Sequence, residues 1–144
     1  MKKLSVFLGG TCGSSTWRKK LLDKLNKNID AFNPVVENWT PECQKIEDQH
    51  KAHDDINLFV ITPETNSPYS LFEIGVSAAS QPKRTVVCFL NNENGTQFEG
   101  QQAKAVKKIA KDLDERKIPV FDNLDDLSQF LNNTNERKRN VENF

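Results

Sequence analysis

Two carboxylates stand out because each borders a predicted turn between a strand and a helix. Asp55 directly precedes the apolar run 56–61, and Glu73 follows eighteen residues later in the segment Ser-Pro-Tyr-Ser-Leu-Phe-Glu-Ile-Gly, residues 67–75. If the run is a strand and a helix begins at Ser70, both carboxylates lie near strand-to-helix loops, where open α/β sheets place their chemistry. An ionised carboxylate at such an edge suits a nucleophile that attacks carbon.

Glu73 also has a purely structural interpretation. Ser70-Leu71-Phe72-Glu73 matches the capping box, in which a glutamate at the third helical position accepts a hydrogen bond from the backbone of the cap residue. The functional interpretation uses the same geometry, because the helix dipole keeps a carboxylate in the first turn ionised. The two roles can coexist, so this spacing leaves both open.

The glycine-rich segment Gly9–Ser15 is predicted to connect a strand to a helix, so its amides could approach a phosphate or a sugar closely. It lacks the lysine and the spacing of a P-loop, and it is not the full dinucleotide fingerprint. Neither ATP nor NAD is therefore indicated. A tight turn that only needs glycine is the alternative.

The histidines and cysteines point to no metal and no cofactor. His50 and His53 are three residues apart with no third ligand nearby in the sequence, which favours surface residues over a metal site. Cys12 could be a thiolate nucleophile at a helix N-terminus, but no spacing links it to a histidine. An odd number of cysteines, three in all, argues against a disulfide framework and favours a reducing cytoplasm.

Length and charge restrict the class of protein. The 144 residues, 36% of them hydrophobic, suit one domain with a single core. The 20 basic and 20 acidic side chains cancel, so broad capture of long nucleic acid or an anionic membrane is not expected. The apolar stretch after Met1 is too short for a signal peptide or a spanning helix. We expect a soluble cytoplasmic protein with a small-molecule partner.

Short apolar runs alternate with segments of helical period, which predicts an α/β fold built from βαβ units. The predicted strands are Leu4–Leu8, Ile29–Phe32, Ile56–Ile61, Thr85–Leu90 and Ile118–Phe121. Right-handed crossovers then favour a three-layer αβα sandwich with a five-stranded parallel flavodoxin-like sheet. We expect one domain over residues 1–131 and a frayed polar tail over 132–144. Residues 91–100 are expected to form a mobile loop.

The helix start signals are local. Thr40-Pro41 predicts a helix with proline at its first position. Ser14-Ser15 could provide the N-cap of an earlier helix whose apolar positions begin at Trp17.

From Leu4 to Leu90 the sequence resembles the nucleoside 2-deoxyribosyltransferase-like family. The resemblance rests on short segments in a fairly specific order and spacing: Val6-Phe7-Leu8-Gly9-Gly10, Trp17-Arg18, Phe32-Asn33-Pro34, Asp55-Ile56-Asn57-Leu58-Phe59 and Ser70-Leu71-Phe72-Glu73-Ile74-Gly75. In that family the glutamate before Ile/Leu-Gly attacks the anomeric carbon of a nucleoside. The resemblance thus makes Glu73 the nucleophile.

The resemblance also implies roles for other positions. Asp55 would contact sugar or base and handle a proton, and Arg18 is a weaker candidate for a phosphate contact. The remaining implied substrate-binding residues are Gly9, Gly10, Thr11, Asn33, Pro34, Ser67 and Ser70. Many family members have a tyrosine beside the first loop, whereas the only tyrosine here is Tyr69.

The resulting hypothesis is cleavage or base exchange at the N-glycosidic bond of a deoxynucleoside or its 5′-monophosphate, through a covalent glycosyl-enzyme and without metal or cofactor. Neither the base nor the choice between hydrolase and transferase can be read from the sequence. Family members commonly form homo-oligomers, so a homodimer or higher oligomer is implied. The alternative is a non-catalytic module that binds or senses a nucleotide-derived ligand.

Overall fold

Five parallel strands form the central sheet of the computed structural model, which describes residues 3–65 and 68–142. From one edge to the other the strands are β2 (Asp30–Phe32), β1 (Ser5–Gly10), β3 (Ile56–Ile61), β4 (Thr85–Phe89) and β7 (Val120–Phe121). Every neighbouring pair is parallel. This is the flavodoxin-like order, and it confirms the predicted fold.

Helices cover both faces of the sheet. The described residues form five of them: α1 (Trp17–Lys24), α2 (Pro41–His53), α3 (Tyr69–Ser80), α4 (Gly100–Glu115) and α5 (Leu124–Glu142). One core cluster joins alternate strand residues such as Leu8 to Trp17 of α1 and Leu127 of α5. The other joins residues such as Phe59 to Ile74 of α3 and Val106 of α4. A three-layer αβα sandwich results.

All six residues of β3 are buried, because this central strand has helices on both sides. The continuous apolar run 56–61 is the sequence pattern that such a strand requires. Helix α2 is different, since none of its residues is buried. It begins as predicted, with Thr40 as N-cap and Pro41 at the first position.

The segment after β4 forms a hairpin where a mobile loop was expected. Strands β5 (Asn92–Glu93) and β6 (Thr96–Gln97) pair in antiparallel fashion around Asn94 and Gly95, which have φ of 54° and 82°. Asn-Gly with two positive φ angles is the preferred sequence for a two-residue hairpin turn. The loop prediction did not include this hairpin because it ignored the Asn-Gly signal.

The hairpin also caps α1. The Glu93 Oε1 atom accepts hydrogen bonds from the Ser15 hydroxyl at 2.5 Å and from the Thr16 amide at 3.1 Å. The N-cap is Thr16, and it makes no capping bond through its own side chain. Of the predicted Ser14-Ser15 cap, the Ser15 hydroxyl accepts the Trp17 amide at 3.4 Å, and a carboxylate from a distant segment accepts the Thr16 amide.

Helix α5 continues to Glu142, so the expectation that residues after 131 fray was wrong. Asn135 is fully buried, and its side chain accepts a hydrogen bond from the Leu4 amide at 3.3 Å and donates one to Asn28 at 2.8 Å. Long-range contacts of this kind keep a polar segment helical. The domain division at residue 131 stays a prediction. No helix in the described part of the chain is long and apolar enough to cross a membrane.

Candidate active site

The carboxyl end of β1 approaches its neighbour so closely that only glycine fits. Gly10 has φ of +116°, and a Cβ placed on it would lie 2.0 Å from the carbonyl oxygen of Val60. The next residue, Thr11, donates its amide to the same oxygen at 2.9 Å, and its hydroxyl accepts the Thr62 amide at 2.9 Å. Gly10 and Thr11 therefore form a rigid floor at the switch point between β1 and β3.

Arg18 fixes this loop from below and is not available for a phosphate. Its side chain donates to the carbonyl oxygens of Leu8, Gly10 and Thr11 at 3.0, 3.3 and 2.7 Å, and only 7% of the residue is exposed. The Trp17 indole donates to the Thr11 carbonyl at 2.8 Å. The weaker suggestion of an Arg18–phosphate contact is corrected, because its donors point inward.

Glu73 lies in the second turn of α3, on the wall of a cavity of about 410 Å³. The lining residues of this site cavity, as we call it, are Gly10, Thr11, Cys12, Gly13, Glu64, Thr65, Tyr69, Ser70 and Glu73. Helix α3 begins at Tyr69 after Pro68, and no capping side chain is found among the residues that the structure describes. The capping box starting at Ser70 is therefore absent, and Glu73 is not needed as a cap.

The Glu73 carboxylate is paired with a lysine from α2. Lys51 Nζ lies 2.6 Å from Glu73 Oε2, with the two side chains 27% and 19% exposed. Burial acts to lower the pKa of Lys51, but the hydrogen bond and charge of Glu73, together with Glu47, outweigh burial and raise it. Lys51 therefore stays charged. It contacts Glu73 through Oε2, so Oε1 is the carboxylate oxygen outside this ion pair.

A second carboxylate approaches the same pair. Glu47 precedes Lys51 by one helical turn on α2 and is half-buried. Burial raises the pKa of Glu47, the charges of Glu73 and Asp48 raise it further, and Lys51 opposes them. Two carboxylates that share a lysine, one of them with a raised pKa, can divide the roles of nucleophile and acid between them.

Asp55 lies at the opposite end of the strands from Glu73. It precedes β3, at the amino ends of the strands, whereas the site cavity lies at their carboxyl ends. Its Oδ2 accepts the Ser5 amide at 2.9 Å and lies 2.6 Å from Lys138 Nζ. Burial acts to raise the pKa of Asp55, but Lys138 and the Ser5 amide outweigh it and lower it. The expectation that both carboxylates share one edge was wrong.

The structure brings together some of the predicted binding residues and separates others. Gly10, Thr11 and Ser70 line the site cavity with Glu73. Gly9 is buried within β1 and is not among the lining residues. Ser67 lies outside the described residues.

Asn33 and Pro34 follow β2 and are also absent from the cavity lining. The Asn33 side chain accepts the Val35 amide at 3.0 Å. This bond shapes its own turn.

Comparison with known proteins identifies the family of the chain. Residues 3–92, well over half of the chain, match the profile of the family described as nucleoside 2-deoxyribosyltransferase like. The chain belongs to that family. A search among curated proteins gave no significant match. The matched region includes α2 and the first two turns of α3, so Glu47, Lys51 and Glu73 all fall within it.

Sequence reasoning missed Glu47 and Lys51 because the only signal it used for α2 was the start of the helix at Thr40-Pro41. Their spacing, with Glu four residues before Lys, is also common on solvated helix faces. The signal becomes specific only once the fold places Lys51 of α2 against Glu73 of α3.

Proposed function

We propose that this protein cleaves or exchanges the N-glycosidic bond of a 2′-deoxynucleoside or its 5′-monophosphate, with Glu73 as the nucleophile. The observation that carries the proposal is the Glu73 carboxylate on the wall of the site cavity, beside Gly10 and Thr11 and 2.6 Å from Lys51. Membership of the family supports the same reaction class.

The chemistry proceeds by displacement at carbon. An oxygen of Glu73 attacks the anomeric carbon while the carbon–nitrogen bond breaks, and the bonding electron pair leaves with the base. Water or a second base then attacks the same carbon and releases the Glu73 carboxylate, so two inversions give net retention. Lys51 orients the carboxylate through Oε2 and leaves Oε1 as the attacking atom.

The departing base needs a proton, and we propose Glu47 as its source because its charge is coupled to Glu73 and Lys51, although Glu47 is not among the residues that line the site cavity. A carboxylic acid with a raised pKa is a suitable general acid, and burial with the neighbouring Glu73 charge raises the pKa of Glu47. Asp55 was the earlier candidate, but its bonds to Ser5 and Lys138 favour the ionised form. In this proposal Asp55 has a structural role.

The test is incubation with a panel of deoxynucleosides and their 5′-monophosphates, with and without an acceptor base, followed by chromatography. We expect base release or exchange by the wild type and its loss in Glu73→Ala. Glu47→Gln should lower the rate by about 10²- to 10⁴-fold, in the range of general acid catalysis. Asp55→Asn is the matched carboxylate control and should retain most of the activity.

Each outcome has a meaning. Product that appears only with an acceptor base indicates a transferase, and product that appears without one indicates a hydrolase. If the wild type binds a nucleoside or nucleotide but never turns it over, the nucleophile assignment fails and the binding or sensing module takes its place. Equal losses in Asp55→Asn and Glu47→Gln would contradict the assignment of the acid.

We also propose that a second copy of the chain packs beside the site. Large apolar side chains are exposed on α3 next to Glu73: Tyr69 is 61% exposed, Phe72 64% and Val76 49%. Adjacent exposed apolar residues of this size mark an interaction surface. Sedimentation velocity should show a homodimer or higher oligomer, and Phe72→Glu should dissociate it. A monomer at micromolar concentration would refute this arrangement.

A further inference from the structure

We infer that Arg84 and Asn57 are positioning residues, which bind the final carbonyl groups of α2 and thereby hold Lys51 against Glu73. This inference rests on the proposed function and deepens it, because it assigns the orientation of the nucleophile to two residues that do not line the site cavity. In this arrangement neither residue contacts the substrate. Both act through the backbone of Lys51.

Helix α2 needs such contacts because none of its residues is buried. Most helices in globular proteins are held in place by an apolar face that packs into the core. Helix α2 carries Glu47 and Lys51, yet its side chains are all exposed or half-buried. Its position against the sheet therefore depends on specific contacts, such as the ring of His50, which stacks on Phe32 with a centroid distance of 3.7 Å.

The guanidinium of Arg84 binds the last turn of α2. The final carbonyl groups of a helix have no partner within the helix itself. Arg84 Nη1 donates to the Ala52 carbonyl oxygen at 2.8 Å, and Nη2 donates to the Lys51 carbonyl oxygen at 3.0 Å. A cation at this place also complements the negative end of the helix dipole. Because the guanidinium is planar and rigid, binding two successive carbonyls fixes the orientation of this turn.

Asn57 binds the same Lys51 carbonyl from inside the protein. It is the second residue of β3 and is only 2% exposed. Its Nδ2 donates to the Lys51 carbonyl oxygen at 3.0 Å and to Gln81 Oε1 at 2.7 Å. Arg84, by contrast, belongs to the short 3-10 helix Pro82–Arg84 that precedes β4. Side chains from two different elements therefore fix one peptide group of α2.

That peptide group belongs to the residue whose side chain pairs with Glu73. Lys51 is bound at its carbonyl oxygen by Arg84 and Asn57, while its Nζ lies 2.6 Å from Glu73 Oε2. The same Nζ lies 5.5 Å from the centre of the Phe7 ring, within the range of a cation–π contact. A lysine side chain is flexible, so a fixed backbone restricts where its ammonium group can lie. Arg84 and Asn57 thus act on Glu73 through Lys51.

A double-mutant cycle tests whether Arg84 acts through Lys51. Arg84→Gln should lower kcat for base release by about tenfold with little change in KM, because it disturbs the orientation of the nucleophile and not the binding of substrate. Lys51→Gln and the double variant should agree within about twofold, since Arg84 then has no lysine to position. Arg84→Lys keeps the charge without the planar fork and should restore part of the loss.

The matched control is Lys83→Gln. Lys83 is exposed beside Arg84 on the same short helix, so this variant removes one positive charge without removing a contact to α2. Its kcat should equal that of the wild type. Asn57→Leu removes the second donor at a similar side-chain volume and should lower kcat in the same way as Arg84→Gln.

Lysine labelling with acetic anhydride tests the same contact without turnover. Burial acts to lower the pKa of Lys51, but the hydrogen bond and charge of Glu73 outweigh burial and raise it. Because a protonated amine does not react, Lys51 should react more slowly than Lys45, whose side chain is 72% exposed on the same helix. Mass spectrometry gives the ratio of the two rates. This ratio should rise about threefold or more in Arg84→Gln and in Asn57→Leu, and it should stay unchanged in Lys83→Gln.

The outcomes separate this inference from the proposed function. If the wild type has no activity, the proposed function fails, and the labelling ratio alone decides the inference. Additive losses of kcat in Arg84→Gln and Lys51→Gln, or a labelling ratio that does not change in Arg84→Gln, would overturn it. Circular dichroism checks that each variant folds, and if Arg84→Gln does not, Arg84→Lys and Asn57→Leu provide the same comparisons.

Discussion

Glu73 and Lys51 form the contact on which the chemistry of the site depends. A carboxylate nucleophile must present a defined oxygen, and a lysine 2.6 Å from Oε2 of Glu73 fixes the orientation of the group. The same lysine acts on Glu47, whose pKa it lowers against the opposing effects of burial and of Glu73. Lys51 therefore orients the proposed nucleophile, Glu73, and lowers the pKa of the proposed acid, Glu47.

Lys51→Gln should change the pH dependence as well as the rate. The pKa of Glu47 should rise, because Lys51 now lowers it. Protonated Glu47 is the acid and is lost as pH rises through its pKa, so the alkaline limb of kcat/KM should move to higher pH. The rate at the optimum should fall by about ten- to a hundredfold, because Glu73 loses its orienting partner.

The matched control for this prediction is Lys45→Gln on the same helix. Lys45 pairs with Glu42 at 3.6 Å, and both side chains are more than 70% exposed at 72% and 76%. Solvent screens such a pair, so the pH profile should stay in place. An alkaline limb that does not move in Lys51→Gln, or that moves equally in Lys45→Gln, would contradict the coupling.

At the scale of elements, the first β-strand ends in a conformation that only glycine allows. Gly10 combines positive φ with contact to the backbone of β3, whereas Gly13 has φ of +75° and open space around its Cβ position. Both line the site cavity, Gly10 as the last residue of β1 and Gly13 from the loop that follows it. Substituting each glycine in turn therefore distinguishes the effect of a steric contact, which exists only at Gly10, from the effect of a positive φ, which both glycines have.

Gly10→Ala should cost about 3 kcal/mol or more in the free energy of unfolding, because unfavourable φ and a backbone overlap act together. Gly13→Ala should cost about 1 kcal/mol, since only the backbone preference is lost. Urea denaturation of both variants checks the difference. Similar losses for the two variants would show that the overlap at Val60 relaxes easily and that the floor of the site is not rigid.

The helices and strands were largely predictable from the sequence, but the contacts between distant segments were only partly predictable. The apolar run 56–61 and the Thr40-Pro41 start signal are local patterns, and the structure confirms both. Glu93 capping α1 is a contact between residues 77 positions apart in the chain, and no local pattern encodes it. Asp55 was misplaced because its position before the strand was treated as equivalent to a position after it.

At the scale of the whole molecule, the last helix, α5, packs against the first strand, β1. The matched family region ends at residue 92, yet Leu127 and Leu131 of α5 are fully buried in the core beside β1. Beyond them, α5 runs along the amino edge of the sheet and contacts α1 and the start of β1 through polar side chains: Asn132, Asn135 and Lys138. The second half of this helix is thus polar, but several of its polar side chains bond to other parts of the protein.

A chain that ends at Leu131 should be less stable than the full chain by about 2 to 4 kcal/mol. It loses the hydrogen bonds of Asn132 to Asn26, of Asn135 to Leu4, and the ion pair of Lys138 with Asp55. Each bond is worth about 1 kcal/mol, and Leu4 at the start of the core would gain exposure to water. Thermal and urea unfolding of both chains measures the loss.

A chain that ends at Arg139 is the control for the length of the helix, because it keeps all three contacts while removing the last helical residues. Its free energy of unfolding should remain within about 0.5 kcal/mol of that of the full chain, as expected for a surface change. If the chain ending at Leu131 is as stable as both longer chains, residues 132–142 behave as a dispensable tail and the domain does end at 131. If only the shortest chain is destabilised, the folded domain includes the polar half of α5, and the amino edge of the sheet depends on it.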